Sequence, residues 1–178
     1  LNGVKTKPFG LDLCFHRCGV GGHCIPIDPF YLIDESQKRG FDPSFLRTAM
    51  RVNSFMPGYT VSLLMHAMND VGKSIKGARI GILGVSYKRN VNDIRDSPAL
   101  EILKRVKSLG GVLKVYDPFV PEYSNANAED VLACDAALLL TDHTEFLNYD
   151  FSRDPVLIDG KNALEKHRVG GIYKGIGR

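Results

Sequence analysis

The chain has 178 residues, with 23 Lys and Arg against 20 Asp and Glu, a net charge of +3. So slight a charge argues against a nucleic-acid surface but suits a small anionic ligand, and the length suffices for one or two domains with real cores. The apolar run Ala136 to Leu140 is far too short to span a bilayer, so no membrane partner is expected.

In chain order, Leu1 to Lys7 lacks the apolar centre of a signal peptide, and the absence of an initial Met suggests a fragment. Residues 1–18 have no sustained period. Gly19-Val20-Gly21-Gly22-His23-Cys24-Ile25-Pro26-Ile27-Asp28-Pro29 follows, a tight glycine turn that leads into one cysteine and leaves through two stiffening prolines. The pattern turns helical at Pro29, with Asp28 at the cap position, and Gly40 ends that short amphipathic helix. Asp42-Pro43 restarts the chain as cap and first helical residue. From Phe45 to Val71 apolar residues recur every three or four positions, and Pro57-Gly58 should kink or break this long segment.

Gly72 to Gly77 reads as a short hinge. Beyond it strands and helices alternate: a strand from Arg79 into Gly84, a helix from Ser97-Pro98 to Leu109, a strand at Val112–Asp117, and a helix near Ala128–Ala133. Strands at Ala136–Leu140, Val156–Asp159 and near Gly171–Tyr173 complete the pattern. Such alternation predicts a parallel, doubly wound α/β sheet with ligands outside the carboxyl ends of the strands. Gly81-x-x-Gly84 with Asp117 after the next strand invites a dinucleotide reading. The third glycine is missing, however, and the acid lies farther on than the usual ~20 residues.

The chemistry concentrates at Cys24. Free cysteine often fills a small apolar gap, but the flanking glycines and His23 point to an accessible thiol nucleophile. Asp28, four residues on, serves as a base, as a helix cap, or as both. Cys134, ahead of an apolar strand, is expected to be buried and less reactive. Cys14, His16, Cys18, His23 and Cys24 cluster, yet their spacing matches neither paired cysteines nor paired histidines of structural zinc sites, so no metal is expected. Reduced thiols in a cytoplasmic protein are the better account.

The segment Gly19 to Leu32, the pair Tyr87-Lys88, the run Asn92-Asp93-Ile94-Arg95-Asp96-Ser97-Pro98 and Asp159-Gly160-Lys161-Asn162 resemble, in order, motifs of the UDP-glucose/GDP-mannose dehydrogenase family. His before the cysteine and Pro two after it are similar to its UDP-N-acetylhexosamine branch. His16-Arg17-Cys18 departs from the Pro-Gly-Pro-like run that usually precedes the loop. The resemblance implies a Rossmann-like, UDP-sugar-binding domain over residues 74–178. Before it, residues 1–73 would carry the catalytic-cysteine loop and a truncated, helical central region whose long helix forms a homodimer.

It further implies that Cys24 and Asp28 are catalytic, that Gly21, Gly22, Tyr87, Lys88 and Lys161 meet the UDP-sugar, and that Arg95 reaches NAD held by a domain outside this chain. Lys161 stands where arginine is frequent, keeping the charge without the two-pronged fork. The implied reaction is oxidation at C6 of a UDP-N-acetylhexosamine with two NAD+, the N-acetylmannosamine epimer first and N-acetylglucosamine as the alternative. The chain alone would be inactive. A non-catalytic module that binds UDP-sugars and dimerises is the other reading.

Overall fold

Short apolar runs rich in Ile, Leu and Val form the strands, and in this computed structural model residues 17–165 and 169–177 are described. The elements are α1 (Cys24–Lys38), α2 (Ser44–Asp70), β1 (Arg79–Leu83), α3 (Pro98–Ser108), β2 (Val112–Tyr116), α4 (Ala128–Leu132), β3 (Ala136–Leu139), β4 (Val156–Asp159) and β5 (Ile172–Gly175). All strand pairs are parallel, in the order β2-β1-β3-β4-β5. Both faces are covered, as a fully parallel sheet requires. On one face Ile80, Ile82, Leu138 and Ile158 pack with Val61, Leu64, Met68, Ile102 and Val106 from α2 and α3. On the other, Leu83, Leu139 and Leu157 pack with Val131, Phe146 and Phe151. The α/β class is as expected, and α3 is capped by the Ser97 side chain as its Ser-Pro start predicts.

Three local expectations are corrected. The first helix begins at Cys24, not after Pro29, so Asp28 stands one turn inside α1 rather than at its cap. Pro26 falls in the first turn, where its missing N–H has no intrahelical partner to lose, and Pro29 forfeits only one bond. Pro43 takes the N-cap position of α2, one residue later than expected; Asp42 instead pairs with Arg47.

The third correction concerns only a break at Pro57, one of the two outcomes expected there: α2 is a single helix from Ser44 to Asp70. An interior proline costs about 3 kcal/mol, and the buried Val61, Leu64, Ala67 and Met68 beyond it offset that by packing on the sheet. The predicted hinge is strapped to the same body. Ile75 is buried in the core, and Lys73 Nζ meets Asp135 Oδ1 at 2.6 Å.

Candidate active site

At the carboxyl ends of β1 and β4 lies a cavity of about 580 Å³, walled by Arg17 and residues 19–25 on one side and by Tyr87, Lys88, Arg95 and Lys161 on the other. The structure thus brings Cys24, Gly21, Gly22, Tyr87, Lys88, Arg95 and Lys161 together from segments far apart in sequence. Cys24 is exposed at the first position of α1, whereas Cys18 and Cys134 are buried. Burial pushes both of those thiols up from their ordinary range. Asp28 does not line this cavity. It shares with Cys24 a neighbouring groove of about 530 Å³ between α1 and α2.

The glycines have packing reasons as well as access. A Cβ on Gly21 would stand 2.7 Å from the Asp96 carbonyl oxygen and 2.8 Å from Tyr87 Cβ. One on Gly22, whose φ is +95°, would meet the Tyr87 ring at 3.0 Å, and Gly22 N–H donates to the Arg95 carbonyl at 2.9 Å. The loop therefore lies directly against the segment that carries Tyr87 and Arg95.

The four cations Arg17, Lys88, Arg95 and Lys161 give the cavity its sign. Lys161 is only 5% exposed, and among the described residues its ammonium has one hydrogen-bond partner, the Tyr87 carbonyl at 3.4 Å. A buried cation so sparsely paired favours an anion in the space before it. Arg95 is exposed and already forked onto Asp93, with contacts of 2.6 to 3.1 Å. Its guanidinium is held above its ordinary value chiefly by that carboxylate, and it also feels the charges of Tyr87 and Cys24. Lys88 is exposed at the rim.

Sequence reasoning missed what holds residues 85–97. Asp117 accepts from the Val85 and Ser86 backbone N–H groups, from Ser86 Oγ and from Phe119 N–H, all within 3.1 Å. His143 Nδ1 accepts the Asn90 N–H at 2.8 Å, so its Nε2 carries the proton and faces Asp117 Oδ1 at 3.2 Å. Burial raises the Asp117 carboxyl, but the donors of His143, Val85, Ser86 and Phe119 outweigh it and hold the group well below the usual carboxylate range. Thr141 Oγ1 donates to the Ser86 carbonyl at 2.5 Å, and Arg89 meets Asp142 at 2.6 Å. The run Thr141-Asp142-His143 gave no sign of this role, because every partner lies more than fifty residues or a full strand away.

The two glycines of the partial fingerprint have packing roles of their own. A Cβ on Gly81 would strike the Val131 carbonyl oxygen at 2.5 Å, and one on Gly84 would strike Thr141 Cβ at 2.4 Å. Both glycines are required by packing, and Asp117 is buried with its oxygens committed. Cys14 and His16 lie outside the described residues.

A parallel α/β sheet with a cation-lined cavity at the carboxyl ends of its strands defines a Rossmann-like nucleotide-binding unit. Two family models match the chain: the UDP-binding domain of the UDP-glucose/GDP-mannose dehydrogenase family over residues 81–166, and the central domain of the same family over residues 1–55. The chain belongs to the UDP-glucose/GDP-mannose dehydrogenase family.

The UDP-N-acetyl-D-mannosamine dehydrogenase of Pyrococcus horikoshii is 34% identical over 166 residues, covering 90% of this chain and 39% of the relative. The UDP-glucose 6-dehydrogenase of Bacillus subtilis is 34% identical over 90% of this chain and 38% of its own length. Among solved structures, the UDP-D-ManNAc dehydrogenase from Pyrococcus horikoshii superposes with a TM-score of 0.89 at 32% identity, over 99% of this chain and 43% of that one. The chain thus spans about two fifths of the length of these relatives.

Proposed function

We propose that this chain is the C-terminal part of an NAD-dependent nucleotide-sugar 6-dehydrogenase that oxidises UDP-N-acetyl-D-mannosamine to the corresponding uronic acid. The observation that carries the proposal is the shared cavity: an exposed thiol, Cys24, opposite a set of cations that includes the buried Lys161. The diphosphate suits Lys161 and Lys88, and Tyr87 offers a ring and a hydroxyl to the sugar. Residues 1–73 would then be the end of the central region and 74–178 the UDP-sugar-binding domain, although the second half of α2 packs into the core of the latter.

In this reading the Cys24 sulfur adds to the C6 aldehyde and forms a thiohemiacetal; the aldehyde's own C–H hydrogen, now on a tetrahedral carbon that bears a hydroxyl, leaves as hydride while the hydroxyl loses its proton, yielding a thioester. Water cleaves that thioester to the acid and returns the thiol, with Asp28 positioning or deprotonating the water. Two hydrides leave C6 in all, and NAD+, bound outside this chain, would supply the acceptor for them. Arg95 is the group this chain offers towards that cofactor, and the chain alone is expected not to turn over.

The exposed apolar side chains of α1 and α2, among them Tyr31 at 72%, Phe45 at 87% and Phe55 at 62% exposed, support a homodimer through this face. Among the described residues no helix is long and apolar enough to cross a membrane. We place the enzyme in the cytoplasm, in the supply of sugar acids for polysaccharide synthesis.

The test is calorimetric titration of this chain with UDP and with NAD+, then assay of the complete enzyme on both N-acetylhexosamine epimers. UDP should bind and NAD+ stay silent. Lys88→Ala should weaken UDP binding while Arg95→Ala leaves it nearly unchanged. In the complete enzyme Cys24→Ser should block acid formation. Tight NAD+ binding by the chain, or normal acid formation by the serine variant, would sink the reading.

A further inference from the structure

The exposed thiol ends a loop in which Gly19, Gly21 and Gly22 leave the backbone little stiffness of its own. Among the described residues four hydrogen bonds reach the backbone of residues 17–22. Cys18 N–H donates to the Gly160 carbonyl at 2.8 Å, and Gly22 N–H donates to the Arg95 carbonyl at 2.9 Å. The other two come from one side chain in the middle of α2. Asn53 Oδ1 accepts the Val20 N–H at 2.8 Å, and Asn53 Nδ2 donates to the Val20 carbonyl at 3.3 Å.

A primary amide carries acceptor and donor side by side, so it pairs with both polar groups of one residue as a neighbouring strand would. Pro57 prepares the same spot from the helix side. It lacks the N–H that would have bonded the Asn53 carbonyl, and that carbonyl faces Gly19, 3.7 Å from where a Cβ would stand.

We infer that Asn53 is a positioning residue for Cys24: by clamping Val20 it holds the glycine loop, and through it the sulfur, at a set place against the cation wall. The catalytic consequence rests on the reading of Cys24 as the nucleophile. Asn53 is not among the groups that line the cation-rich cavity, so nucleotide binding should not depend on it. Without the clamp the three glycines let the loop spread over many conformations, and the cost falls on the step that needs the thiol in register with the sugar.

The experiment compares Asn53→Leu, which removes both hydrogen bonds, with Asn53→Asp, which keeps only the acceptor for Val20 N–H. In the 178-residue chain, hydrogen exchange at the Val20 amide should rise about tenfold or more in Asn53→Leu, in line with loss of a local anchor. UDP affinity should stay within about twofold. In the complete dehydrogenase, kcat should fall about ten- to a hundredfold while KM for the nucleotide sugar moves less than about twofold. Asn53→Asp should fall between, and it gives the same readouts should the leucine variant fail to fold.

Unchanged exchange at Val20 in both variants overturns the clamp. Raised exchange with unaltered kcat, or a KM effect alone, overturns the positioning role. Normal acid formation by Cys24→Ser would instead overturn the nucleophile reading, and with it the catalytic consequence, whatever the exchange shows.

Discussion

The two segments that face each other across the cavity are held in opposite ways. Residues 85–97, which carry Tyr87, Lys88 and Arg95, stand on buried side chains: Asp117, Thr141 and His143 reach up from the strand ends and bond their backbone. Residues 17–23 have one such side chain, Cys18, buried in the core at their start. They run against the first segment through glycines and rest on Gly160, Arg95 and Asn53. Lys88 and Arg95 are thereby tied to the stability of the whole sheet, whereas beyond Cys18 the position of the thiol depends on a few hydrogen bonds to the loop. Damage to one side should unfold the protein. Damage to the other should misplace Cys24 in a protein that still melts normally.

Asp117→Ala should have the largest effect on stability. It strips the acceptor from Val85, Ser86, Phe119 and His143, and should cost about 4 kcal/mol in urea unfolding at neutral pH. Because the folded protein holds this carboxyl below its ordinary value, its contribution is complete above the unfolded pKa of about 3.9 and is lost as pH falls through the folded one. Wild type and variant should therefore converge in acid. A neutral-pH loss below about 1 kcal/mol would break the contrast between the two segments.

Asp154, just ahead of β4, is a control with the opposite sign. It is 2% exposed, its carboxylate oxygens have no hydrogen-bond partner among the described residues, and burial together with the charge of Asp150 pushes it up to about 7. A raised acid binds its proton more tightly folded than unfolded, so stability is lost as pH rises from about 4 to the folded value. Asp154→Asn should stabilise the chain by on the order of 2 kcal/mol at pH 8 and by little at pH 4. Equal gains at both pH values would refute that account.

Gly21→Ala acts on the thiol side. The new methyl meets the Asp96 carbonyl and Tyr87, so about 1–2 kcal/mol of strain is expected. The sharper readout is alkylation of Cys24, whose rate should change severalfold, while that of buried Cys134 should track only global opening. If the melting temperature collapses and Cys24 reactivity follows it, the loop is no more separable from the sheet than the cation wall is. Asp93→Ala should do least. The Arg95–Asp93 pair lies at the surface, and its loss should leave the urea midpoint and the UDP affinity nearly as they were.

Much of this architecture is local, and local structure is legible. Val156–Asp159 alternates with helices as a buried parallel strand must, and its bounds agree with the pattern. Ser97-Pro98 opens α3 because both residues satisfy the needs of a helix start. The contrast between an accessible Cys24 among glycines and a buried Cys134 just ahead of a strand also lay in the neighbouring residues. The start of α1 was misread for an equally local reason, since Pro26 signals a turn yet fits a first helical turn without loss.

What the sequence by itself determined is therefore the order and kind of the elements and the chemical types in each loop, because backbone propensity and hydrophobic period act over a few residues. Only the tertiary structure decided which loops meet. Asp117 and His143 are brought together from different strand ends, the buried Lys161 reaches the Tyr87 carbonyl from another loop, and Asn53 of α2 reaches Val20, 33 residues earlier in the chain. Gly81 and Gly84, a nucleotide signal in one dimension, became packing contacts with Val131 and Thr141 once the sheet closed. Such pairings depend on strand order and on the burial that makes an unpaired polar group costly, and neither is written in any short stretch of residues.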